Sequence, residues 1–152
     1  MHGLHKKMKN NYFRILWLLI ILIFFDQITK LLVRLQFPNL IYKNPGIAFG
    51  IFSSLVEIIL WLVLVGLIIF IIIVFRSRFL DKTVTRIATT LILAGAIGNL
   101  IDRLYSGYII DFIGGKILPV FNIADIYIIV GCTLFIYFFF QKDKINSKGV
   151  KK

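Results

Sequence analysis

The chain has 152 residues, 59% of them hydrophobic and 16% charged, with a mean hydropathy of +0.91. A water-soluble domain of this size cannot hide that much apolar surface, because small domains leave a large share of their surface in solvent. The solvent must be lipid, and the formal charge of +11 falls in alternating groups that suit membrane topology rather than one nucleic-acid face.

A helix that crosses about 30 Å of hydrocarbon needs roughly 20 mostly apolar residues. The first such run, 15–35, follows Lys6, Lys7, Lys9 and Arg14. "ILWLLIILIFF" would suit a secretion signal, but "DQITK" after it offers no small-residue cleavage site, so a retained helix is expected. Asp26 and Lys30 lie one turn apart and share a face. They either neutralise each other, with Lys30 snorkelling outward, or organise a site. In the following loop, 36–54, "YKNPGIAFG" suggests a turn at Pro45-Gly46 with Asn44 extended before it. "IAFGIF" is too short to span and suits the interface or a short strand.

The second run, 55–75, starts with Glu57 as an ordinary first-turn acid, and a basic loop, 76–83, follows. The third run, 84–103, contains "LILAGAIGNLID", where Ala94 and Gly98, and Gly95 and Asn99, form a small-residue face for close helix contact. Asn99, Asp102 and Arg103 end it, and Arg103 also complements a helix C-terminus. The loop 104–122 carries "YIIDFIGGKILPVF", a hairpin pattern around Gly114-Gly115, with Asp111 on its first arm. The last run, 124–140, opens with Asn122 as N-cap and Asp125 in the first turn. Cys132, the only cysteine, reads as a packing residue. No internal repeat is present, and the Lys-rich ends are expected to fray.

Of the 18 Lys and Arg residues, 13 fall in the N-terminal segment, the middle loop and the tail, against 5 on the other side. The positive-inside rule then puts both termini and 76–83 in the cytoplasm and the loops 36–54 and 104–122 outside. With that orientation Asp26, Asn44, Asn99, Asp102, Arg103, Asp111 and Asp125 gather at one boundary. Helix capping or a loop position explains Asp125 or Asp111 singly. The collection at one depth is the pattern of a site. Two carboxyls close enough to share a proton keep one acid and one carboxylate near neutral pH, which suits general acid–base hydrolysis of a peptide bond. There is no HExxH or GxSxG, and the only histidines, His2 and His5, lie in the N-terminal segment. No His or Cys accompanies the acids at their depth, so no metal or cofactor is expected. A proton-coupled transporter would put a carboxylate near the midplane, often with a repeat between halves. A non-enzymatic assembly factor or lipid-binding module would use the same polar residues merely as caps.

The stretches "DQITK" (26–30), "NPGIAFG" (44–50), "GAIGNLIDR" (95–103), "IIDFI" (109–113) and "FNIAD" (121–125) together resemble the bacterial lipoprotein signal peptidases. The likeness covers about 15–140. It implies an aspartic endopeptidase of the bacterial plasma membrane that cuts prolipoproteins just before a diacylglyceryl-modified cysteine. Asp111 and Asp125 would be the catalytic pair. Asn44, Gly46, Asn99, Arg103 and Asn122 would line the site, with Asp26, Lys30 and Asp102 supporting it. The implied fold is an all-α membrane protein in one domain, 1–152, with four transmembrane helices, a small outer β-rich cradle and an interfacial helix. The expected partners are prolipoproteins and membrane lipid, without nucleic acid, and the expected working state is a monomer. Two departures from the family pattern stand out: Ala94-Gly95 replaces a frequent double glycine, and Pro45 occupies a variable position.

Overall fold

A computed structural model describes residues 2–45, 62, 65–66, 68–72, 83–114 and 119–149. Among them are three long helices, α1 (His2–Gln36), α2 (Thr83–Ser106) and α3 (Ile123–Gly149). A 3-10 turn, Pro38–Leu40, leads from α1 to strand β1 (Tyr42–Asn44), which pairs antiparallel with β2 (Ile109–Asp111). The register is Tyr42 to Asp111, Lys43 to Ile110 and Asn44 to Ile109.

The first and third apolar runs fold as helices long and apolar enough to cross a membrane, at Phe13–Gln36 and Thr83–Ser106. The last gives a shorter apolar helix, Ile123–Phe138. Most of the second run, with Glu57 and the loop after it, lies outside the described residues. Its described part is helical at 62, 65–66 and 68–72, and Phe70 meets Phe135 of α3 with ring centroids 5.9 Å apart. The Lys-rich ends are helical at 2–12 and 141–149 rather than frayed. Lysine is a good helix former, and a long apolar helix already bears the cost of nucleation.

Small residues set how closely the helices approach. A Cβ on Gly95 would overlap the backbone carbonyl of Ala124, and one on Gly131 would lie 2.8 Å from the carbonyl oxygen of Ala88. The small-residue face expected on α2 is therefore its seam with α3, and Ala88, Ala94 and Ala124 are fully buried along it. Gly98 serves α1 instead: its Cβ would lie 2.5 Å from an Asp26 oxygen. The outward faces are the opposite, with Trp17, Ile21, Phe24 and Leu35 all exposed on α1. An apolar stripe of that extent is a surface made for lipid.

The turn after α2 aims the chain at the polar end of the bundle. Gly107 adopts φ +78°, its N–H donates to the Arg103 carbonyl at 3.0 Å, and the chain reverses into β2. The expected hairpin also closes. Ile113 and Phe121 form an antiparallel bridge, with Gly114 inside it and 115–118 outside the described residues. The end of α1, the end of α2, both strands and the start of α3 thus meet at one end of the molecule.

Candidate active site

The polar residues at that end form one connected network, and nearly all are buried. Asp26, Lys30, Asp111 and Asn122 are its largest fully buried side chains, and Asn44, Asn99, Asp102 and Arg103 are buried beside them. Asp125 is half-buried.

Its foundation is Lys30. The ammonium meets Asp26 Oδ2 and Asp102 Oδ2, both at 2.8 Å, and donates to Asn99 Oδ1 at 3.2 Å. Three N–H groups find three oxygens, which is what a buried ammonium requires. The one-turn pair expected between Asp26 and Lys30 is present, but Lys30 turns inward and does not snorkel. The two acids that hold Lys30 also fix backbone. Asp26 Oδ1 accepts the Ala124 N–H at 3.0 Å, so a carboxylate of α1 caps the start of α3. Asp102 Oδ2 accepts the Ile110 N–H at 3.2 Å, tying β2 to α2.

On this foundation stand the two candidate acids. Asp111 points from β2 and accepts from Asn44 Nδ2 at 2.9 Å and Asn122 Nδ2 at 2.7 Å. Asp125 accepts from Asn99 Nδ2 at 2.8 Å and from the Asn122 N–H at 3.1 Å. Asn122 joins them. Its Oδ1 accepts the Asp125 N–H at 3.0 Å, and its Nδ2 donates to Asp111 and, at 3.0 Å, to Asn99. The reciprocal Asn122–Asp125 bonds are a capping box, so the structural explanation for Asp125 holds together with its place in the cluster. Arg103 completes the charges, lying in the field of Asp125, Asp111 and Asp102.

Burial pushes the Asp111 carboxyl up to about 6. The hydrogen bond from Asn44 opposes this and the nearby Asp125 charge adds to it. A carboxyl so placed changes protonation close to neutral pH beside a second acid, the requirement for acid–base chemistry by a pair.

Of the residues expected from the sequence, Asp26, Lys30, Asn44, Asn99, Asp102, Arg103, Asp111, Asn122 and Asp125 all fall in this cluster. Gly46 lies outside the described residues. Gln27 joins the cluster without being expected there. Its amide donates to the Gly98 carbonyl at 3.1 Å, to Asp26 at 3.1 Å and to Asp102 at 3.3 Å, bridging α1 and α2. The signal for it is a polar amide within an apolar run, next to Asp26.

Known proteins share this arrangement of sequence and fold. A family profile described as Signal peptidase (SPase) II matches residues 18–141. The lipoprotein signal peptidase of Moorella thermoacetica is 39% identical over 134 residues, covering 78% of this chain and 86% of that one. That of Halothermothrix orenii is 32% identical over 141 residues, covering 84% and 96%. A bacterial membrane enzyme determined in meso at 2.3 Å resolution superposes with a TM-score of 0.67 at 30% identity, covering 91% of this chain and 92% of that one. A match over most of the sequence, carried by apolar helices that end in a buried polar cluster, makes this a membrane protein and a peptidase: the chain belongs to the signal peptidase II family.

Proposed function

We propose that this chain removes signal peptides from prolipoproteins by hydrolysing the bond just before a diacylglyceryl-modified cysteine, with Asp111 and Asp125 as an aspartic catalytic pair. The carrying observation is that two acids from separate segments share one partner, Asn122, with Asp111 buried and raised to about 6. In this reading one carboxylate takes a proton from water as its oxygen attacks the scissile carbonyl. The protonated partner hydrogen-bonds the developing oxyanion, and return of a proton to the amide nitrogen releases the new N-terminus. Asp111 is the proton-bearing member, because burial favours its neutral form. Asn44, Asn99, Asn122 and Arg103, with Gly46 in the adjoining loop, line the substrate path. Asp26, Lys30 and Asp102 hold those groups in place, and no metal or cofactor takes part.

The setting follows from charge and apolar patterning. Four helices, at about 15–35, 55–75, 84–103 and 124–140, cross the bacterial plasma membrane, with both termini and the 76–83 loop in the cytoplasm. The strands form a cradle at the outer leaflet. Signal peptide and lipidated cysteine arrive laterally from lipid, and the extended peptide pairs with exposed backbone. The described cluster residues all belong to one protomer, and in this reading the working unit is a monomer.

The test is cleavage of a lipidated prolipoprotein by purified protein in detergent. Wild type is expected to cut immediately before the modified cysteine, and Asp111→Asn and Asp125→Asn to abolish cutting while remaining folded. Undiminished cleavage by both variants would overturn the assignment.

A further inference from the structure

The two-stranded ribbon has a second face that the proposed chemistry leaves unused. On one face the diagonal neighbours Asn44 and Asp111 are hydrogen-bonded in the cluster. Lys43, which alternates to the reverse face opposite Ile110, lies over the ring of Tyr108 just before β2, with Nζ 5.1 Å from its centroid. Arg34, from the last turn of α1, reaches the same tyrosine: Nη2 donates to Tyr108 Oη at 3.1 Å and lies 3.5 Å from Ser106 Oγ. Two cations from separate elements converge on one phenol. Among the described residues neither is paired with an acid.

That arrangement runs against the charge economy of the chain. In the orientation proposed above only five Lys and Arg face outward, and two of these, Lys30 and Arg103, are buried in the cluster. Bringing two more to one tyrosine with no acid costs repulsion that a bound anion would relieve. Tyr108 Oη accepts from Arg34, which leaves its O–H to donate. A guanidinium, an ammonium and a hydroxyl donor together match the oxygens of a phosphate. The flanking exposed residues are apolar or aromatic, including Leu35, Leu104 and Tyr105, the last 88% exposed. That mixture marks the headgroup level of a bilayer.

We infer that Arg34, Lys43 and Tyr108 form a seat for the phosphate of an anionic outer-leaflet phospholipid, which braces the ribbon carrying Asp111 from behind. The inference rests on the orientation proposed above. An acidic stretch of the peptide substrate is the less favoured occupant, because the seat is on the ribbon face turned away from Asp111.

The experiment places the full-length protein in phosphatidylcholine nanodiscs with or without phosphatidylglycerol. Retained lipid is counted by native mass spectrometry, and cleavage is followed separately. Wild type is expected to retain phosphatidylglycerol and to cleave faster with it. The R34Q/K43Q variant should need about 30-fold more phosphatidylglycerol for equal retention, about fivefold per cation. Its rate in pure phosphatidylcholine should match wild type, and Tyr108→Phe should lose retention a few-fold. Equal retention by wild type and R34Q/K43Q overturns the seat. So does displacement of the lipid by millimolar inorganic phosphate, or an R34Q/K43Q effect confined to KM for substrates with acidic residues after the cysteine. If no protein cleaves in any lipid, the catalytic reading fails while the retention result still decides this one.

Discussion

Replacing Asp111 by Asn should stabilise the protein at neutral pH while removing its activity, and both effects can be sized from the geometry. Asp111 is 1% exposed, and its carboxyl is raised from 3.8 to about 6. Each tenfold in proton affinity is about 1.4 kcal/mol, so holding the group ionised above that pH costs ~3 kcal/mol. Asparagine avoids that cost but gives up one hydrogen bond. Asn122 cannot turn its amide, because its Oδ1 accepts the Asp125 N–H, so it must still donate to position 111. The introduced amide would satisfy Asn122 with its oxygen and present an NH2 to the Nδ2 of Asn44. That conflict returns ~1–2 kcal/mol, leaving a net gain of ~1–2 kcal/mol, or about 2–8 °C in Tm for a chain of this size. The sign with pH follows from linkage. A carboxyl whose folded pKa exceeds its unfolded value makes the native state bind the proton more tightly. Wild-type stability from this group is therefore full below about 4 and declines as pH rises towards 6. The advantage of Asp111→Asn should be largest above pH 6 and should vanish or invert near pH 4. Thermal unfolding in detergent across this range, followed by tryptophan fluorescence, measures it. A variant clearly less stable than wild type at pH 7.5, or a difference that ignores pH, would falsify the account of a buried, reluctantly ionised Asp111.

Other perturbations reach different parts of the network. Lys30→Met leaves Asp26 and Asp102 facing each other without their shared cation, a loss of ~3–5 kcal/mol expected to appear as lost folded protein in size-exclusion chromatography. Gly95→Ala drives a methyl into the Ala124 carbonyl, which is backbone and cannot swing aside, so a Tm drop equivalent to ~1–3 kcal/mol is expected. The pH profile of kcat/KM should fall on its alkaline side with an inflection near the Asp111 value of about 6, because the acting acid is lost above it. A flat profile from pH 5 to 8 counts against that assignment. Cleavage should survive a metal chelator unchanged, and inhibition that is reversed by adding back a divalent ion would point to a metal-dependent mechanism instead.

What the sequence made legible was depth and local geometry. The 3.6-residue repeat places Asp26 and Lys30 on one face, and the pattern Asn122-x-x-Asp125 announces a capped helix start. Spacing of small residues marked the seam between α2 and α3. Partners remote along the chain were not legible. Asp26 and Ala124 are 98 positions apart, and Asn44 and Asp111 are 67 apart, so no periodicity relates them. Strand register decides which face Asp111 occupies, and strands of three residues give almost no alternation to read. Asp102 shows the same limit. At the end of a helix it reads as a terminal polar residue, yet it pairs with Lys30 and anchors β2, which only the packed arrangement of α1, α2 and the ribbon determines.

Capping and catalysis are usually weighed as rival explanations for an acid in the first turn of a helix, but at Asp125 the cap also supports the proposed catalytic role. A cap fixes the carboxylate relative to the helix axis: its Oδ2 is held by the Asn122 N–H, and Asn99 holds Oδ1. Asn122 is in turn fixed by the Asp125 N–H, which directs its amide at Asp111. The same reciprocal bonds that start α3 therefore set the relation between the two acids. A residue that only capped would not need a second carboxyl beyond Asn122, nor four buried or half-buried acids set, among the described residues, against Lys30 and Arg103. With every acid ionised that group carries a formal charge of −2, and one bound proton reduces it to −1. Burial penalises the larger charge more heavily. Burial favours that proton on Asp111, whose carboxyl is raised to about 6, and in the proposed chemistry it is the proton offered to the peptide.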